Sequence, residues 1–178
     1  MNIYFPQVLL AISIIWVMIR LFFNIKGKKL KITRELQLLL VYICFVVLAR
    51  ITLFPLETVN GVIQPLVLYP DKLFPFNVNF VPFIHLFEYE QVSSAIINFI
   101  GNVAMFIPVG VIYPAVYKKL DSHLKIISAG VGLSLFIEII QLPFFDRVSD
   151  VDDLILNSLG YLTGYLIYLG FKALKRKK

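Results

Sequence analysis

Residues Leu36–Leu56 read LQLLLVYICFVVLARITLFPL, 21 positions that carry a single charge, Arg50. A run of this length matches the roughly 20 apolar residues needed to cross about 30 Å of hydrocarbon as a helix. Four further stretches have the same character: approximately Tyr4–Ile25, Ala95–Tyr117, Ile126–Leu142 and Leu154–Phe171. The whole chain follows suit, with 178 residues, 59% hydrophobic and 16% charged, and a mean hydropathy of +0.83. Soluble domains sit near about 45–50% apolar and about 25% charged. A water-soluble enzyme, a disordered regulator and a nucleic-acid-binding domain are thereby excluded as readings. The expected fold is all-α: one polytopic domain over residues 1–178, a bundle of about five transmembrane helices with an irregular extracytoplasmic segment between the second and third spans. The first run is not read as a signal peptide, because its positive charges follow it and no small-residue cleavage site closes it. Cys44, the only cysteine, allows neither an intrachain disulfide nor a thiolate metal cluster.

The net charge of +6 is a topology signal. Lys26, Lys28, Lys29, Lys31 and Arg34 lie in the first loop, Lys118, Lys119 and Lys125 in the third, and Lys172, Lys175, Arg176, Lys177 and Lys178 close the chain. These 13 of the 17 basic residues fall on one side of a five-span arrangement. The opposite loops hold only Lys72 and Arg147, while Arg20 and Arg50 lie within spans. The positive-inside rule then places the N-terminus outside and the C-terminus in the cytoplasm. The basic tail at 172–178 is read as a topology determinant resting against anionic headgroups.

Polar groups inside a span are expensive and normally face the bundle interior or a wet cavity. Arg50 lies near the outer end of the second span, and Asn98 and Asn102 near that of the third, four residues apart and so on one face. Glu138 and Gln141 share a face in the last turns of the fourth span, and Asn157 sits about one turn into the fifth, four residues after Asp153. At about 1.5 Å per residue, all fall in the outer third of the bilayer. Two explanations are open. In one, Arg50 pairs with Glu138 and the amides hold helices together. In the other, the layer is an outward-facing cavity for a polar headgroup, with Arg50 meeting an anionic group and Glu138 serving as acceptor or general base.

The loop FFDRVSDVDD (144–153) concentrates Arg147, Asp150, Asp152 and Asp153 above this layer. Several carboxylates suit a hard divalent cation, but Asp-x-Asp-Asp at a helix start also caps and complements the helix dipole. No second carboxylate cluster accompanies them, so no metal is expected. The segment from Glu57 to Ser94 contains PFNVNFVPF (75–83), with Asn77 and Asn79, and its prolines, Pro65, Pro70, Pro75 and Pro82, preclude one continuous helix. His85 and His123 have no metal-ligand spacing. Gly160 and Gly164 form a GxxxG pattern read as close packing against another helix. Phosphate loops, Ser-His-Asp arrangements, HExxH and nucleotide-binding motifs are absent from the sequence, and no cofactor is expected.

The combination resembles the VanZ-like membrane family, named for an accessory protein of glycopeptide-resistance clusters. The matching pieces are Arg50-Ile-Thr-Leu-Phe-Pro55, Asn79-Phe-Val-Pro-Phe83, Asn98-Phe-Ile-Gly-Asn102, Phe106-Ile-Pro-Val-Gly110, Glu138-Ile-Ile-Gln141, Arg147-Val-Ser-Asp150-Val-Asp152-Asp153 through Asn157, and Gly160 with Gly164. They cover about residues 45–165. The resemblance implies a multi-pass protein of the bacterial cell envelope, linked to lowered susceptibility to teicoplanin-type glycopeptides. With the polar layer, it gives Arg50, Asn79, Asn98, Asn102, Glu138, Gln141, Arg147, Asp150, Asp153 and Asn157 as candidate ligand-binding residues. The expected partner is a membrane lipid or a lipid-linked cell-wall precursor, without nucleic acid. Two alternatives stand beside it: an intramembrane hydrolase or transferase with Glu138 as its base, and a structural partner of another membrane protein.

Overall fold

The structure, a computed structural model, describes residues 1–24, 31–54, 58–68, 78–82, 92–144 and 147–176. Asn77, His85, Asp146, much of the proline-rich segment and the basic stretches at 26–29 and 177–178 lie outside the described residues. Five helices carry the chain: α1 Phe5–Asn24, α2 Ile32–Leu53, α3 Val92–Val116, α4 His123–Gln141 and α5 Val151–Arg176. All five are long and apolar enough to cross a membrane, as the hydropathy of the sequence required. Leu10, Ile14, Ile15, Met18 and Leu21 of α1 are exposed, as are Leu135, Phe136 and Ile139 of α4. An apolar surface on that scale is tolerable when lipid is the solvent.

Helix boundaries shift by a few residues from those expected. The second helix takes in Arg34 and Glu35 and stops at Leu53. Phe54, which precedes a proline, is extended at φ −110°, ψ 144°, the conformation that the following ring imposes. The fifth helix starts at Val151, so that Asp152 and Asp153 lie inside its first turn.

The chain divides into two compact units, Met1–Pro75 with Pro143–Arg147, and Phe76–Leu142 with Val148–Lys178. In the first, α1 and α2 form a hairpin. The Ser13 hydroxyl meets Tyr42 Oη at 2.7 Å, Trp16 and Tyr42 lie 5.7 Å apart, and Phe5 packs edge-on against Phe54. Arg20 and Glu35 form an ion pair between the two helices. Strand β1 (Asn2–Ile3) pairs antiparallel with β4 (Leu66–Val67), and β2 (Thr58–Val59) with β3 (Val62–Ile63). The turn between β2 and β3 is Asn60-Gly61, at φ 52° and 74°. Positive φ at both central residues is what a tight two-residue hairpin turn requires.

Because the Arg20–Glu35 pair is partly exposed, its net contribution is about 1 kcal/mol or less. Arg20→Glu is expected to lower the unfolding midpoint followed through Trp16 fluorescence, and the swapped pair Arg20→Glu/Glu35→Arg to recover most of the loss. Failure of the swap to recover more than either single change would remove the pair as a stabilising contact.

The second unit holds α3, α4 and α5, with β5 (Val78–Asn79) paired parallel to β6 (Ser149–Asp150). Its core is built on Phe106, Val109, Tyr113, Leu156 and Tyr161. A Cβ added at Gly160 would overlap the carbonyl of Val103, and one at Gly164 that of Ile107. Both glycines thus bring α5 into backbone contact with α3, the packing role their spacing suggested, and the matched advance shows the two helices parallel. From the α3 side, Gly110 is pressed equally against the Tyr161 carbonyl. The fourth helix runs antiparallel to α5 and starts from a Ser122 cap, whose hydroxyl accepts the Lys125 amide at 3.3 Å.

Candidate functional site

The start of α5 gathers the polar chemistry of the second unit. Asp150 Oδ1 accepts the Asp152 amide at 2.9 Å, so Asp150 caps the helix. Asp152 and Asp153 follow in the first turn, where the helix dipole favours negative charge. The pairing of β5 with β6 sets Asn79 beside Asp150, and Asn79 Nδ2 donates to the same Oδ1 at 3.1 Å. Asn79 is itself held locally, its Oδ1 accepting the Val81 amide at 3.0 Å.

Glu138 reaches this end from the last turns of α4. It is 4% exposed, and its Oε2 accepts the Ser149 hydroxyl at 3.2 Å and the Asp150 amide at 3.0 Å. Gln141, one turn on, is also buried. From α3, Asn102 donates to Asp153 Oδ1. One turn deeper in α5, Asn157 is 1% exposed and donates from Nδ2 to Ser134 Oγ at 3.1 Å.

Asn98, one turn before Asn102 on α3, is exposed. Arg50 and Arg147 belong to the first unit, at the C-terminal end of α2. Arg147 Nε and Nη2 donate to the Leu53 carbonyl at 3.1 and 2.9 Å. Arg50 Nη1 lies 3.4 Å from the Phe54 carbonyl, and its Cζ is 6.0 Å from the centre of the Phe5 ring. Cations at a helix C-terminus offset its partial negative charge, so both arginines complete a helix end. Ser134 and Ser149 were not singled out from the sequence. Ser134 carried a usable signal, lying four residues before Glu138 on the same face of α4.

Chemically, Glu138, Asp150 and Asp153 set three carboxylates at one end of the unit, each accepting at least one hydrogen bond from a neighbour. Among the described residues, no three His, Cys, Asp or Glu side chains converge on a metal-sized site.

A family model described as VanZ/LLP1 matches residues 36–173. The chain belongs to the VanZ/LLP1 family. The VanZ/LLP1 match runs from the first turns of α2 into the last turns of α5, and all ten candidate residues fall inside it. No curated protein and no solved structure matches the chain.

Proposed function

We propose that this VanZ-family membrane protein holds the polar headgroup of a membrane lipid or a lipid-linked cell-wall precursor at the carboxylate end of its three-helix unit. The observation that carries this is the convergence of Glu138, Asp150, Asp153, Asn79 and Asn102 at one end of helices otherwise dressed for hydrocarbon. Three carboxylates gathered at one helix end suit sugar hydroxyls or an ammonium group. Burial of Glu138 with two donors fixed on one oxygen favours a hydrogen-bonding role over general-base chemistry. The distribution of lysine and arginine supports an orientation with this end outside and the C-terminus in the cytoplasm. Lowered susceptibility to teicoplanin-type glycopeptides is the physiological consequence proposed for such binding.

Native mass spectrometry tests the binding. The protein is expected to retain hydroxyl- or amine-bearing lipids over phosphatidic acid, and Asp150→Asn/Asp153→Asn to lose at least fivefold of that preference. Retention that ignores the headgroup would sink the proposal. Orientation is tested separately: a C-terminal fluorescent-protein fusion is expected to glow and a C-terminal alkaline phosphatase fusion to be inactive.

A further inference from the structure

A second polar feature runs away from the carboxylate end, through the seam between α4 and α5. Asn157, Tyr161 and Tyr165 follow one another at four-residue steps, all buried, along one stripe of α5. The antiparallel α4 answers each in turn. Ser134 accepts from Asn157, Gly130 leaves room for the Tyr161 ring, and His123 Nδ1 lies 2.7 Å from Tyr165 Oη. A Cβ at Gly130 would overlap that ring, so the glycine is what admits a tyrosine to the seam. Glu138 lies one turn of α4 from Ser134. From Glu138 to His123 the stripe covers about 22 Å, at about 1.5 Å per residue.

Two atoms in this stripe are unsatisfied. Asn157 Oδ1 and Tyr161 Oη are buried without a hydrogen-bond partner among the described residues, and both side chains are 1% exposed. An unmade hydrogen bond of this kind is destabilising, and in a membrane bulk water is not at hand to supply it. The two residues sit one turn apart on one face. Their chemistry is complementary through a single water, which donates to the amide oxygen and exchanges a hydrogen bond with the phenol.

We propose that the α4–α5 seam is a hydrated path that carries protons between Glu138 and His123. A proton taken up by the Glu138 carboxylate passes through water and the Ser134 hydroxyl to the water beside Asn157, then to the Tyr161 hydroxyl and, through a second water, to the Tyr165 hydroxyl. It ends on His123, whose imidazole releases it at the opposite end. Each hydroxyl accepts one proton and gives up another, so none changes its net protonation, and rotation of the O–H groups resets the file. The Asn157 amide holds the water and does not itself relay. Around Glu138 stand the carboxylates of Asp150 and Asp153, which attract protons to the entrance, with Ser149 as hydrogen-bond donor. The Tyr113 ring of α3 packs against Tyr161 at 6.1 Å. Near His123, Tyr165 stacks on Tyr168, and Lys125 is paired with Asp121 at 2.7 Å.

The test uses the full chain in phosphatidylethanolamine–phosphatidylglycerol vesicles containing a pH-sensitive dye, with a potassium–valinomycin potential driving proton entry. Wild type is expected to acidify the vesicles at least fivefold faster than protein-free vesicles do. Tyr161→Phe and Tyr165→Phe, each missing one oxygen, are expected to fall close to the protein-free rate with unchanged thermal midpoints, while Gly132→Ala keeps the wild-type rate. Wild-type flux equal to that of protein-free vesicles overturns the proposal. Equal flux in wild type and both phenylalanine variants overturns it as well. Proton conduction is independent of headgroup binding, since the vesicle assay needs no particular lipid and lipid retention can fail without changing the flux.

Discussion

Gly164→Val is expected to leave little monodisperse protein after extraction, and Gly160→Val and Gly110→Val to behave alike. A Cβ at any of the three would overlap a backbone carbonyl, of Ile107, Val103 or Tyr161. Backbone cannot rotate aside as a flexible side chain can, so α3 and α5 have to separate, and packing is lost along the seam. Overpacking a close-packed interior costs about 1–3 kcal/mol and occasionally more. A branched side chain driven into backbone belongs at the upper end, a large share of a total stability of about 5–15 kcal/mol. Size-exclusion profiles and thermal midpoints in detergent measure the effect. The internal control is Gly132→Ala, where an added Cβ meets nothing within 4 Å. Its expected effect is neutral, or a gain of about 0.5–1 kcal/mol from helix propensity. Equal midpoints for Gly164→Val and Gly132→Ala would refute the seam.

The second large effect is at Glu138, where the choice of replacement separates stability from binding. Glu138→Ala strands the Ser149 hydroxyl and the Asp150 amide at the carboxylate end of the unit. At about 1–3 kcal/mol per unsatisfied group, a loss of about 2 kcal/mol or more is expected in thermal unfolding. Glu138→Gln keeps an oxygen for both donors and is expected to fold within about 1 kcal/mol of wild type, while losing the charge proposed to meet an ammonium or hydroxyl donor. Paired susceptibility assays in a sensitive Gram-positive host, with membrane levels matched, read out the consequence. Wild type is expected to raise the inhibitory concentration of teicoplanin and not that of vancomycin, and Glu138→Gln to return teicoplanin to the empty-vector value. Protection retained in Glu138→Gln would remove the carboxylate from the mechanism. An enzyme with Glu138 as its base would instead lose turnover and keep lipid retention.

The five spans were legible because hydropathy over about 20 residues depends little on how a helix is rotated. Contacts between helices depend on rotation entirely, and local sequence encodes them unevenly. Gly160 and Gly164 announced a close approach, but not that α3 supplies the other wall or that Gly110 matches them. Asp150 as helix cap followed from the Asp-x-Asp-Asp pattern. The Asn60-Gly61 turn, flanked by valines, is by contrast a strong local hairpin signal. Arg147 on the Leu53 carbonyl joins residues 94 positions apart, and no local pattern encodes such a pairing. The donation from Asn102 to Asp153 has the same origin, since a four-residue spacing places two amides near one face without naming the group they meet.

The partnership of α3 with α5 also sets an order of events during synthesis. The third helix ends at Val116 and its partner spans Val151–Arg176, so α3 is made well before the surface it packs against exists. At about 5–20 residues per second, the delay is on the order of several seconds. Through that interval Gly110 has no backbone to rest on and Asn102 no Asp153 to donate to, both within reach of lipid. Until α5 arrives, α3 lacks its main partner, and a chain interrupted before α5 would leave the Gly110 surface and the Asn102 amide without the helix that covers them.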